Sequence, residues 1–265
     1  MHPVITSAQN PKIKLVQTLE KARERKKQGL FIIEGKKETD LAIKSNYEIK
    51  YIFYCEGKLH EEDIAFYLKR NLYLIPVEES IFSKISYRES TSTVISIATV
   101  KRHPLDALKL KSDKALVLVI ESVEKPGNLG ALLRTADAAG LDAVIICNPQ
   151  TDFYNPNVIR SSVGCVFTNK LAAAGSEEVI AWLKASGIKI YCTYLKSSKP
   201  YHETDFTSAS AIVMGTEATG LSEVWIKHAD QNIIIPMLGE IDSMNVSASA
   251  AIVIYEALRQ RGFKK

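Results

Sequence analysis

The spacing of apolar and charged positions changes character near residue 115. Before that point the pattern is mixed. Ile13, Val16, Leu19 and Ala22 fall about three apart among charged residues, which predicts one helix over 12–28, stopped at Gly29. Phe31-Ile32-Ile33-Glu34-Gly35 reads as a short strand and turn, and 36–45 as a helix. Ile49 to Cys55 reads as a strand and 61–70 as a helix. Leu72 to Pro76 and Val94 to Val100 are further strands, separated by the polar stretch Ser86 to Thr93. Beyond 115 come near-continuous apolar strands at 115–120, 143–147, 188–194, 211–214 and 232–235. Helical patterns lie between them at 129–139, roughly 156–163, 177–186, 222–228 and 246–261. Such alternation predicts an α/β fold with a mainly parallel sheet and helices on both faces.

This divides the chain into a small α/β domain (1–100), a linker (101–114) and a second α/β domain (115–265). The linker is polar and charged but carries Leu105, Leu108 and Leu110, so a packed connection is the alternative. There is no internal repeat and no low-complexity segment.

Composition narrows the class. No apolar run reaches the roughly 18 residues of a membrane span, and the first ten residues lack the layout of a signal peptide; a cytoplasmic location follows as the expectation. Cys55, Cys147, Cys165 and Cys192 are far apart, with no C-x-x-C pair, so no metal ligand set and no disulfide framework is assigned. Net charge is +4, but residues 1–50 carry eleven Lys/Arg and six Asp/Glu, a net +5, against −1 for the remaining 215. The densest patch holds Lys21, Arg23, Arg25, Lys26 and Lys27. Taken alone, such a run is a solvated helix face. In front of a nearly neutral domain it favours contact with a nucleic-acid backbone.

Three segments carry candidate chemistry. Pro126-Gly127-Asn128 follows a strand and ends on an N-cap type, after which Leu129, Leu132, Leu133 and Ala136 form one apolar stripe to Gly140. At about 100° per residue, Arg134 falls about 140° from Leu129, off that stripe. It points to solvent, a cleft or a partner chain. The strand Ala211 to Met214 empties into Gly215-Thr216-Glu217-Ala218-Thr219-Gly220-Leu221-Ser222, which is neither a Walker A loop nor G-x-G-x-x-G. Ile235-Pro236-Met237 ends a strand, and Ser243-Met244-Asn245-Val246-Ser247 opens a helix that is apolar nearly all round, so two surfaces should cover it. One is its own sheet; the other is further core or a second subunit. A fourth segment, Asn155 to Gly164, contains Arg160, which is either an RNA or partner contact or part of a capped surface helix.

Together, N-x-G-x-x-x-R-x-A-x-x-x-G (128–140), G-x-E-x-x-G-L-S (215–222) and I-P-M…S-M-N-V-S (235–247) resemble the three motifs of the SpoU/TrmH family of RNA ribose methyltransferases. Met244 stands where that family usually has leucine. The resemblance covers 115–265 closely. It extends more loosely to 1–100, where Gly29-x-Phe31-x-x-Glu34-Gly35 looks like the substrate-binding domain preceding many such catalytic domains. It implies an α/β trefoil knot, a homodimer formed through the C-terminal domain, and S-adenosyl-methionine as cofactor. By the same resemblance Asn128, Arg134, Glu217, Ser243 and Asn245 serve catalysis. Gly215, Thr216, Gly220, Ile235, Met237, Met244 and Asn245 hold the cofactor. The activity implied is 2′-O-methylation of RNA, with ribosomal RNA preferred to tRNA. A guanidinium stays protonated in proteins, so Arg134 suits holding a ribose hydroxyl and phosphate in line better than acting as a base. Two other classes are weighed: a non-catalytic RNA-binding or ribosome-assembly factor, opposed by the complete set of motif side chains, and a nicotinamide oxidoreductase, opposed by the missing glycine fingerprint.

Overall fold

A computed structural model describes residues 2–87, 92–110, 112–196, 198–216 and 219–264. The chain forms two compact units. One comprises Met1–Lys101 with Asp152–Thr168, the other Arg102–Thr151 with Asn169–Lys265.

In the first unit, strands β1 (Leu30–Glu34), β2 (Ile49–Cys55), β3 (Leu74–Val77) and β4 (Val94–Thr99) form a sheet in the order β1-β4-β2-β3. β4 runs antiparallel to both neighbours, and β2 and β3 are parallel. The apolar period of the N-terminal run is real, since Ile13, Val16 and Leu19 are buried, but the single helix is not. Helix α1 (Pro11–Leu19), capped by the Asn10 side chain, stops there, and α2 (Ala22–Gln28) starts after a two-residue break. The Arg25 guanidinium closes that break by donating to the Leu19 and Glu20 carbonyls, at 2.9 and 2.7 Å. Gly29 then ends α2 in the left-handed conformation, at φ 64°. Helices α3 (Lys36–Lys44) and α4 (Glu61–Leu68) match the pattern, whereas α5 (Glu79–Ile85) was not read from it.

Segment 152–168, read from sequence as part of the second domain, packs in the first unit. Tyr154 stacks on Phe31 with ring centroids 4.1 Å apart, Phe167 meets Tyr47 at 5.0 Å, and the Tyr47 and Tyr154 hydroxyls are 3.2 Å apart. Buried rings of this kind bring both area and directional contacts. The segment folds as α7 (Pro156–Ser161), capped by Asn155, and α8 (Cys165–Thr168), rather than one helix over 156–163. Gly164, at φ 81°, lies so close to Leu41 that a β-carbon would meet its side chain at 2.9 Å.

The second unit is built on seven parallel strands in the order β7-β6-β5-β10-β8-β11-β9. β5 (Leu116–Glu121), β6 (Ala143–Cys147) and β10 (Ser210–Met214) are buried along their whole length. This is the near-continuous apolar pattern of strands covered on both faces. β8 (Lys189–Thr193) and β11 (Gln231–Ile234) flank them; β7 (Leu171–Ala174) and the two-residue β9 (Lys199–Pro200) form the edges. Helices α6 (Pro126–Ala139), α9 (Ser176–Ala185), α10 (Glu223–His228) and α11 (Val246–Gln260) cover the sheet. The stretch proposed as a linker is packed instead: Leu105 is buried, Leu108 and Leu110 join the core, and the His103 carbonyl accepts from Ala173 N–H at the β7 edge.

Candidate active site

The carboxyl ends of β5, β8, β10 and β11 lie together in the second unit, where open α/β sheets bind ligands. A pocket of about 480 Å³ opens there, within the range of small-molecule sites. The turn after β10 contributes Gly215, Thr216 and Gly220. The segment after β11 contributes Ile235, Met237, Ser243 and Met244, and α11 contributes Val246, Ser249 and Val253. The floor is apolar, with Lys196 and Asp242 as charged side chains at its wall. Of the seven residues assigned to cofactor, six therefore line one pocket. Asn245 lies outside its lining.

Glycine at 215 is required by the turn itself. A β-carbon there would collide with the Gly220–Leu221 peptide, not only with a ligand. The turn folds back on itself, with Thr216 N–H donating to the Gly220 carbonyl and Gly220 N–H to the Thr216 carbonyl, both at 3.1 Å. Thr219 N–H donates to Thr216 Oγ1 at 3.0 Å, so the turn is laced by its own side chains. Glu217, the acid of this motif, lies outside the described residues.

Asn128 is not the N-cap. Helix α6 begins at Pro126, where a missing N–H costs nothing, and the cap position is Lys125. Asn128 thus sits in the first turn, and its side chain meets that of Asn245. Asn245 does cap α11: its Oδ1 accepts from Ser247 N–H at 3.0 Å and Ser247 Oγ at 2.6 Å. That leaves its Nδ2 to donate to Asn128 Oδ1 at 3.2 Å, as the amide inventory requires. The first and third motifs are joined by this bond.

Arg134 is not part of that junction. It lies six residues on, about 9 Å further along α6, exposed and without a hydrogen bond or ion pair among the described residues. Arg160 falls in the first unit, half-buried, its guanidinium 4.1 Å from the Tyr87 ring centroid. Lys21, Arg23, Lys26 and Lys27 are exposed, as a backbone-contacting patch requires. Arg25 is the correction: it is 2% exposed, bound to two carbonyls and paired with Asp152 at 2.7 Å, and it has no surface to offer RNA.

Sequence reasoning missed Glu121 at the end of β5. This carboxylate is 4% exposed and accepts from Ser222 N–H, Ser222 Oγ and Ser176 Oγ. Burial, with the Glu121 carboxylate adding to it, pushes the neighbouring Cys147 thiol up to about 12. The β8-end residues Thr193 to Lys196 were missed as well, although a ligand rule applied to every strand end would have included them.

Comparison with known proteins agrees with this geometry. The SpoU rRNA Methylase family profile matches residues 115–255, and an MRM3-like substrate binding domain profile matches 10–96. A Bacillus subtilis protein named 23S rRNA (guanosine(2553)-2′-O)-methyltransferase RlmP is 34% identical over 95% of this chain and 97% of its own. A crystal structure of an RNA 2′-O ribose methyltransferase superposes with a TM-score of 0.85 at 39% identity, covering 98% of this chain and 99% of that one. An AdoMet-bound rRNA methyltransferase from Sinorhizobium meliloti gives 0.89 at 29% identity, covering 97% of each. The chain belongs to the SpoU rRNA methylase family, whose catalytic fold is the α/β knot.

Proposed function

We propose that this protein transfers a methyl group from S-adenosyl-methionine to a ribose 2′-hydroxyl of large-subunit ribosomal RNA. The observation that carries this reading is the single pocket walled by the second and third motifs, with the Asn128–Asn245 bond joining the first motif to the third. The pocket suits the cofactor in kind. The backbone at Gly215 and Gly220 is accessible, the isoleucines and methionines offer an apolar bed for a nucleoside, and Lys196 and Asp242 offer opposite charges for an amino-acid end. When bound, S-adenosyl-methionine supplies a sulfonium methyl already electrophilic enough for attack by an oxygen, so the protein's work is alignment and handling of one proton.

Asn128 and Asn245 orient the hydroxyl, and Glu217 completes the catalytic set by orienting Asn128, Arg134 or its own loop. Arg134 remains cationic and grips the phosphate beside the target ribose through its planar fork of donors; the hydroxyl proton passes to phosphate or water. The exposed Lys21, Arg23, Lys26 and Lys27, with Arg160, hold RNA by its backbone. Ribosomal RNA is favoured over tRNA because the 23S-specific relative aligns along nearly the whole chain, both units included. Among the described residues no helix is long and apolar enough to cross a membrane. We place the protein in the cytoplasm beside its RNA.

A homodimer through the second unit fits the surface of α11. Ala250, Val253, Ile254 and Ala257 are buried, while Ala251, Ile252 and Leu258 stay half-exposed and Tyr255 is 45% exposed. Leu238 and Ile241, before the same helix, are 99% and 67% exposed. Helix α6 covers part of α11 beyond the sheet, and we assign the apolar surface that stays exposed to contact with another copy.

The deciding experiment is single-turnover methylation of ribosomal RNA with mapping of the modified ribose. Arg134→Ala should slow it roughly a hundredfold or more, as loss of a transition-state contact does, with cofactor affinity unchanged. Arg134→Lys should remain poor. Absence of ribose methylation by the wild-type protein, or modification of tRNA alone, would overturn this reading.

A further inference from the structure

The pocket wall formed by the turn after β10 is held from below by a buried charge. Glu121 ends β5, the strand paired with β10 in parallel register. Its Oε2 accepts from Ser222 N–H at 2.8 Å, and its Oε1 accepts from Ser222 Oγ at 2.7 Å and from Ser176 Oγ at 2.8 Å. Ser176 Oγ in turn accepts from Trp225 Nε1 at 3.1 Å and from Asn148 Nδ2 at 2.9 Å. Every member of this network comes from a strand end or the first turn of a helix on the carboxyl side of the sheet. Three donors converge on the two oxygens of one carboxyl group, which ties the end of β5 to the first turns of α9 and α10.

Ser222 closes the Gly215–Ser222 segment and opens α10. Gly220, two residues earlier, is bridged to Thr216 in both directions, and Gly215, Thr216 and Gly220 all line the cofactor pocket. There is no slack between anchor and wall: Gly215 already lies against the Gly220–Leu221 peptide, so a movement of Ser222 is transmitted to the pocket. We infer that Glu121 is a positioning residue that fixes this turn and thereby sets the affinity for S-adenosyl-methionine, without touching the cofactor or the RNA. The inference rests on the proposed function and specifies how one wall of that site is held.

The test reads cofactor affinity and turnover separately. In the full-length protein, calorimetry with S-adenosyl-homocysteine should show Glu121→Ala binding about tenfold more weakly or worse, the scale of a lost charge-assisted bond. Glu121→Gln, which keeps one acceptor for Ser222 N–H, should recover part of that loss. Ser222→Ala, which removes one donor, should show a smaller loss. With saturating cofactor the single-turnover rate of all three should approach that of the wild type, so the apparent Michaelis constant for cofactor rises while the maximal rate stays. A purely structural role would instead lower the melting temperature and leave the affinity of the folded protein unchanged. That result in Glu121→Ala overturns the inference; if that variant does not fold, unchanged affinity in both Glu121→Gln and Ser222→Ala overturns it. Failure of the wild-type protein to bind either cofactor form removes the functional reading itself, and this inference with it.

Discussion

Two arginines on two helices make an instructive contrast. Arg25 in the basic run of the first unit and Arg134 in the first motif of the second are both helical cations, and both invite a functional reading. Arg25 is buried, closes a helix break and pairs with Asp152. Arg134 is exposed and unengaged among the described residues. The difference lies in what decides each environment. Arg134 stays exposed because its own helix turns it away from the stripe, a matter of rotation per residue. Arg25 is captured by a carboxylate 127 residues away, which no local pattern records. A cation's availability is legible when its own helix settles it, and hidden when a distant segment does.

The same contrast separates the proposed cofactor pocket from the basic patch, and the pocket should give the largest effect when broken. Gly215→Ala places a β-carbon against a peptide rather than a movable side chain. Overpacking of this sort costs about 1–3 kcal/mol, which, if expressed in affinity, is about fivefold to 150-fold. Cofactor titration of a folded Gly215→Ala variant should show that loss while RNA binding persists. Normal affinity would mean the turn opens easily and is not a rigid wall.

Next comes Arg25. Arg25→Met should destabilise the protein by about 2–3 kcal/mol, because two carbonyls and a carboxylate lose their shared donor. The value falls at or below the lower end of the range for broken buried pairs, since the Asp152 side chain is 32% exposed and water can replace its partner. Urea unfolding measures the loss. RNA affinity of the folded variant should be unchanged, and a large loss there would restore Arg25 to the RNA-contacting set.

These differences also explain what could be read in the chain. The parallel sheet and the three motif segments were legible because buried strands and strand-to-helix turns are short-range features. Six of the residues assigned to cofactor fall in one pocket because their loops all leave the same edge of one sheet. The break after Leu19 was not legible, since the three-residue spacing continues through Ala22 and only the Arg25 bonds reveal it. β7 escaped because Leu171-Ala-Ala-Ala has little β-branched character and is made a strand by β6 on one side and the His103 carbonyl on the other. Pro126 was the better helix start than Asn128, and the rule that favours proline at the first helical position was available. The place of 152–168 rests on the rings of Phe31, Tyr47, Tyr154 and Phe167, whose meeting is invisible in the linear sequence.

The smallest effect is expected at the residues beside Arg25 that remain free. Lys26 and Lys27 are exposed in the last turn of α2, where positive charge also suits the helix terminus. Replacing both by alanine should leave stability within about 0.5 kcal/mol of the parent, as is usual at exposed sites. Each phosphate contact contributes about 0.7–0.9 to the slope of log affinity against log salt concentration. If both lysines meet phosphates, the double variant should bind ribosomal RNA more weakly at low salt and show a slope shallower by roughly 1.4–1.8. Cofactor affinity should not change, because these residues belong to the other unit. An unaltered slope with unaltered affinity would reduce this part of α2 to a solvated face and shift the search for RNA contacts to Lys21, Arg23 and Arg160.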